Sequence, residues 1–359
     1  MLKINVHHFV AARILSQISG YALSRGPQEV DKIFADRAVD ICEDVAPESA
    51  ALAAALNNQA RFQKEFGDLE VALQTYQRVK DFWSGLPDFG VTHPNYGSTL
   101  NNIAGIYREL RDYARAVELM EQALSITEDS LGQNHTDTAR RYRNLGALYG
   151  EWAYFFPDMI EEHDLRTREA EAEDTALERS LHALGPWHQE TALGFNNAAT
   201  RWLDNEPKTA IDYMQRAASV FVGIYGPDHA WTCEAVRDCF AFCAKNGLTS
   251  DETYKALMQT YENLVHEQNA WGVAKLNSLI SAHDIPGEIN EETISALAAA
   301  LSKKQERMRR DGAPVEAVQW VMQEASYAAS ALALELNPVD FDARLRAAIA
   351  RVNAIAAST

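Results

Sequence analysis

The sequence predicts an all-α fold, a right-handed solenoid of stacked helical hairpins with a helical C-terminal extension. Three observations carry this expectation. A four-residue pattern, Gly-x-x-His, recurs four times, at Gly90–His93, Gly132–His135, Gly185–His188 and Gly226–His229. An amide or carboxylate stands nine positions after each histidine: Asn102, Asn144, Asn197 and Asp238. Apolar residues between these marks recur at helical spacing, as in Ile103, Ile106, Tyr107 and Leu110, then Ala116, Leu119, Met120, Ala123 and Leu124.

The spacing between histidines is 42, 53 and 41 residues. Periods near 40 fit a unit of two helices that buries its apolar face only against its neighbours. The longer middle interval predicts an insertion at about residues 152–175. Small residues at Ala60, Ala104, Gly146 and Ala199 fall where two helices of a hairpin come closest, where a bulkier side chain would force them apart. Gly67 and Gly247 fall in the turn between the helices, where a positive φ is useful.

These residues resemble tetratricopeptide repeats, in the longer variant found in kinesin light chains and many bacterial repeat proteins. The nearest segment runs Thr99-Leu-Asn-Asn-Ile-Ala-Gly-Ile-Tyr107, Tyr113-Ala-Arg-Ala116, Ala123-Leu-Ser-Ile-Thr-Glu128 and Leu131-Gly132. The resemblance covers about residues 48–265. It departs from the pattern at Pro207, where the inter-helix turn is short, and at Asp238-Cys239.

The expected organisation is a degenerate N-terminal unit over 1–46 and an array over 47–285. Its units lie near 48–88, 93–130, 135–184, 188–223 and 229–268, and a C-terminal extension or cap covers 286–359. In the first unit, residues 5–23 and 27–45 form a helix pair, with Pro27 in the first turn of the second. Breaks are expected at Ile285-Pro286-Gly287 and Asp311-Gly312-Ala313-Pro314.

Charge and composition narrow the function. The 359-residue chain carries 51 acidic against 33 basic residues, a net charge of −18. General nucleic-acid binding needs a basic footprint, and docking on an anionic membrane needs basic segments; neither partner is expected. No run of about 18 uncharged apolar residues occurs, so no membrane span is expected. Four cysteines suit a reducing, cytoplasmic setting.

The histidines do not form a metal set. Equivalent atoms of stacked repeats lie roughly 10 Å apart, whereas ligands sit about 2 Å from a metal. A role in the turn is expected instead. Cys239 and Cys243 read as small core residues. Glu161-Glu162-His163-Asp164 reads as a solvated acidic face. There is no phosphate-binding loop, nucleophile elbow or zincin helix. No catalytic residue, cofactor or metal is expected; a metal-dependent enzyme using the acidic insertion is the weakest of the three function classes.

In the family, first-helix asparagines hold cargo peptides by their main chain. The resemblance therefore implies a peptide-binding set at Asn57, Asn101, Asn102, Asn144, Asn196 and Asn197, with Asn58 beside them. Helical spacing brings Arg61, Lys64, Arg108, Arg140, Arg143 and Arg201 onto the same faces. Amides and cations together suit an acidic or carboxylate-terminated segment. The bland alternatives are that one asparagine of each pair only holds the stack, and that the cations only neutralise Glu65, Glu109, Glu151 and Asp204. Phe62 and Tyr107 are expected near this face or just behind it. The leading function is a protein- or peptide-binding adaptor. The alternative is a regulatory subunit or inhibitor gripping a folded partner, with a homodimer through the C-terminal helices as a further use of that surface.

Overall fold

Four of the first helices start on a histidine. In the computed structural model the imidazole Nδ1 of His93 accepts the backbone N–H of Asn95 at 3.1 Å. His135 accepts from Asp137 at 3.0 Å, His188 from Glu190 at 3.1 Å and His229 from Trp231 at 3.2 Å. The first N–H groups of a helix have no partner within it, and a side-chain acceptor at the cap supplies one. The glycine three residues before each histidine turns the chain into the cap. At Gly132 and Gly226 φ is 94° and 75°, a region costly for any side chain.

The structure describes the backbone of residues 2–24, 26–85, 90–311, 313 and 315–358; side chains of 1–6, Ser24, Glu162, Glu316 and 357–358 are also outside the description. Among the described residues there is no strand. The chain divides into two units, residues 1–130 with 148–165, and residues 131–147 with 166–359.

The first unit stacks α1 (Leu2–Ser24), α2 (Lys32–Val45), α3 (Ala50–Glu65), α4 (Leu69–Ser84), α5 (Pro94–Glu109) and α6 (Tyr113–Leu131). Pro27 does not open α2. A short 3-10 turn over Glu29–Asp31 comes first, because the Asp31 carboxylate accepts the Gln28 N–H at 3.0 Å and closes a tighter turn there. Ala60 and Ala104 are fully buried at the hairpin crossings. The turn after α3 uses Gly67 at φ 87°; the equivalent turn after α5 puts Arg111 at φ 60°.

α7 (Thr136–Phe155) passes from the second unit to the first. The extra residues of the long period are spent twice: α7 has 20 residues against 16 in α3 and α5, and a 3-10 turn at Pro157–Met159 and a one-turn α8 (Ile160–His163) replace the short connection. Phe155 and Phe156 pack on the Tyr113 ring at 6.3 and 6.0 Å between centroids. Both phenylalanines nevertheless remain exposed, and Tyr154 more so.

The second unit holds α9 (Leu165–Leu184), α10 (Gln189–Trp202), α11 (Pro207–Tyr225), α12 (Ala230–Lys245) and α13 (Ser250–Ala282). Gly146 allows α7 and α9 to touch: a Cβ there would lie 2.8 Å from Glu173 Cγ. Cys239 and Cys243 are fully buried in the core around Phe195, Phe221 and Leu257. α13 is 33 residues long and runs well past the repeat pattern. A Thr249–Glu252 capping box starts it, and its interior carries no proline. Its extra length latches onto an earlier turn: the Gln268 amide accepts the Trp187 N–H at 2.8 Å and donates to Leu184 O at 3.3 Å.

The last three helices are α14 (Glu291–Arg310), α15 (Val315–Leu332) and α16 (Pro338–Ser358). The break before α14 is seen; in the next one, residues 312 and 314 lie outside the described residues. α15 lies on α13 and brings Trp320 to 4.9 Å from the His135 ring and Tyr327 to 5.5 Å from His188. α16 packs on α11, α12 and α13. Its Phe341 stacks on Tyr261 at 4.0 Å, and Arg344 donates to Gly223 O at 2.9 Å.

Two titrations should be measurable. His188 is pushed below its ordinary value by burial and then by Arg140, against the opposing pull of Glu190. A base depressed in the fold contributes stability that is present above its unfolded value and lost as pH falls through its folded one. His188→Ala should cost on the order of 1 kcal/mol at neutral pH, the usual worth of a helix cap. The gap between variant and wild-type melting temperatures should narrow as pH falls below about 6.5.

Glu173 behaves in the opposite sense. Burial, then Glu169 and Asp174, raise its carboxyl to about 7, while Arg201 opposes the shift. Its contribution is present below its unfolded value and lost as pH rises through about 7. Glu173→Gln should therefore raise the melting temperature above neutral pH and leave it unchanged near pH 4, to be read by calorimetry at both ends.

Candidate amide-lined site on the first helices

The first helices of the first unit are tied together through their asparagines. Asn58 donates to Ser16 O at 2.8 Å and to the Ser19 hydroxyl at 3.1 Å. Asn102 donates to Asn57 Oδ1 at 2.9 Å, and Asn101 lies 3.4 Å from Asn102 Oδ1. The second asparagine of each pair thus reaches back to the preceding first helix. Asn57 accepts from Asn102 through its oxygen, so its N–H donors stay out of that bond, whereas Asn101 donates to Asn102 Oδ1.

Beside this ladder lies a cavity of about 230 Å³, all within the first unit. Asn57 and Asn58 of α3 line it with Asn95, Ser98 and Asn102 of α5, and Val79 and Trp83 of α4 close it. The Trp83 ring stacks on the capping His93 at 4.5 Å, which fixes that wall. Sequence reasoning missed Asn95, Ser98, Val79 and Trp83. The first two were within reach, since positions 95, 98 and 102 repeat the spacing of one helical face. The other two come from a second helix, which a first-helix reading does not consult.

Two of the three cations here are engaged. Lys64 pairs with Glu109 at 2.9 Å, and Arg108 with Glu151 at 3.7 Å, so each reaches from one first helix to the next. Among the described residues Arg61 has no ion pair; it lies one turn beyond Asn57.

Phe62 is fully buried among Ala22, Leu23 and Ala35. Tyr107 does not line the asparagine cavity. It borders a separate cleft of about 450 Å³ between α4 and α6, with Gln77, Lys80 and Arg115 at the rim.

In the second unit, Arg143 bonds Glu190 of α10 at 2.6 Å. Burial alone would raise that carboxyl, but the bonded guanidinium holds it below its ordinary value. Arg140 pairs with Asp137 on its own helix at 2.6 Å. Arg201 pairs with Asp174, not Asp204, and donates to Ala170 O at 3.0 Å. Asn144 is half-buried and engaged. Asn196 is exposed and Asn197 half-buried on α10.

Comparison with known proteins bears on the repeat and the fold. Residues 95–153 match the tetratricopeptide-repeat family model. A clustered mitochondria protein homolog of Aspergillus clavatus is 27% identical over 133 residues, which is 37% of this chain and 10% of that protein. The match thus spans about a tenth of that relative's length. Among solved structures, BtubC (BKLC) from P. vanneervenii superposes with a TM-score of 0.51 at 17% identity, covering 68% of this chain and 91% of that one. A Podosopora anserina putative kinesin light chain with nearly identical TPR-like repeats gives 0.47 at 15% identity, over 60% of this chain and 97% of that one. Residues 95–153 of this chain thus match the tetratricopeptide repeat, and its stacked, histidine-capped hairpins share the fold of BtubC.

Proposed function

We propose that this protein is a non-enzymatic adaptor that binds other proteins by holding an extended segment against its first helices, and that the segment is acidic or ends in a carboxylate. The cavity lined by Asn57, Asn95, Ser98 and Asn102 is the observation that carries the reading. An amide side chain has two donors and one acceptor group, so it matches a peptide main chain whatever that peptide's side chains are. The Asn102–Asn57 bond occupies the Asn57 oxygen and leaves its N–H donors for a ligand carbonyl.

The carboxylate preference rests on Arg61, the cation of this face with no ion pair among the described residues. Lys64 and Arg108 would contribute by exchanging their glutamates for the ligand. Asn101 flanks them. In the second unit the same proposal rests on Asn144, Asn196 and Asn197 with Arg140, Arg143 and Arg201, whose ion pairs a ligand carboxylate must displace.

A partner gripped by more than this face is a second reading. Tyr154, Phe155 and Phe156 favour it, since all three are exposed at the α7 turn and none lines the asparagine cavity. A cytoplasmic setting belongs to the same proposal: the four cysteines are unpaired. No helix of the described residues is long and apolar enough to cross a membrane.

Selection from a displayed peptide library, with titration of the selected peptides, tests the proposal. Ala54 is an exposed lining residue of the cavity. Ala54→Phe should fill that space without touching the asparagine ladder and weaken binding at least about tenfold, roughly 1.4 kcal/mol. Arg61→Glu should weaken acidic or free-carboxylate peptides and spare their neutral, amidated forms. A folded Ala54→Phe chain with wild-type affinity would contradict the site. A folded Arg61→Glu chain with no change in charge preference would contradict the carboxylate alone.

A further inference from the structure

The outward face of the first helix pair is apolar. On α1, the buried positions Ala12, Ser19 and Ala22 face the rest of the first unit, and Ser16 and Ser19 meet Asn58 of α3. At 100° per residue, Val10, Ile14 and Tyr21 lie about 160–200° around the helix from Ala12. They are 48%, 51% and 68% exposed, and Ile18 beside them 40%. α2 repeats the arrangement. Ala35, Ala38, Val39 and Cys42 are buried, and Ile33, on the far side, is 62% exposed. Exposed apolar residues gathered on one face mark an interaction surface.

We propose that this face is a self-association surface, and that its occupant is the same face of a second copy of this chain. Charge decides between occupants. Two copies with a net charge of −18 repel over most of their surfaces. α1 carries Lys3 and Arg13 and no acidic residue over 23 positions. α2 carries Asp36, Asp40, Glu43 and Asp44 against Lys32 and Arg37, and Asp40 and Asp44 are exposed on the side that carries Ile33. A two-fold contact that lays α1 of one copy over α2 of the other brings the acid-free helix against the acidic one twice. Such a contact is self-complementary, as a two-fold interface requires. Arg13 is exposed beside the stripe and has no ion pair among the described residues. It is available to the second copy's acids.

This surface is independent of the asparagine cavity, and its test does not touch that site. The test is sedimentation equilibrium of the full 359-residue chain from about 1 to about 100 µM, the range in which a modest apolar interface associates. The wild type should reach a dimer. Ile14→Glu should raise the dissociation constant at least about tenfold, with the helical circular dichroism and melting temperature unchanged. Ile33→Asp, on the other helix, should do the same and stands in if the first variant fails to fold. Arg13→Glu should weaken the dimer by a smaller factor. A wild type that stays monomeric over this range overturns the proposal, and so does a folded Ile14→Glu or Ile33→Asp chain that dimerises as well as the wild type. A monomeric wild type that co-floats with anionic vesicles overturns it in favour of a lipid surface.

Discussion

The contact on which the repeats depend is a hydrogen bond from a backbone N–H to a neutral imidazole. Each capping Nδ1 must lack a proton to accept it. The bond fixes where the first helix begins, and that start sets the direction of every later side chain on the helix. A residue nine positions later stands two and a half turns along at one fixed azimuth. That is where Asn102, Asn144, Asn197 and Asp238 sit. A helix started one residue early would rotate them by about 100°, out of the face they share. Capping and the placement of these amides are therefore one constraint in this chain.

The same asparagines serve the stack. Asn58 and Asn102 reach the preceding first helix, and Lys64–Glu109 and Arg108–Glu151 run between first helices as well. Exposed ion pairs add little by themselves. Half-buried amides that keep their partners matter more, because an unmet polar group in the interior is costly. Asn57, Asn58 and Asn102, held by those bonds, line the cavity. In the function proposed above, a ligand would meet residues whose positions are already fixed, so little order would have to be imposed on binding.

The repeat and its turns were legible because each depends on neighbours in sequence. A Gly-x-x-His cap, a small residue at a helix crossing and a glycine in a tight turn are local demands. Arg111 shows the limit, adopting the positive φ that Gly67 and Gly247 adopt elsewhere. The length of α13 was not legible. Its continuation packs on the Trp187 turn and on α15, far away in sequence. The partner of Arg201 was hidden for the same reason: Asp174 lies on α9, whose register depends on the insertion. That Tyr107 borders the cleft between α4 and α6 was not legible, because helical spacing gives a face but does not say which neighbour covers it. Trp320 and Tyr327 on the capping histidines could be found only by folding the chain.

The central claim is that four neutral imidazoles, each bare at Nδ1, start the four first helices. Nitrogen-15 NMR of the histidine rings at neutral pH reads this directly, since the two ring nitrogens of each tautomer have distinct shifts. The account predicts that His93, His135, His188 and His229 are all in the form protonated at Nε2 alone. Any of the four found protonated at Nδ1, as the other tautomer or as the cation, would contradict it.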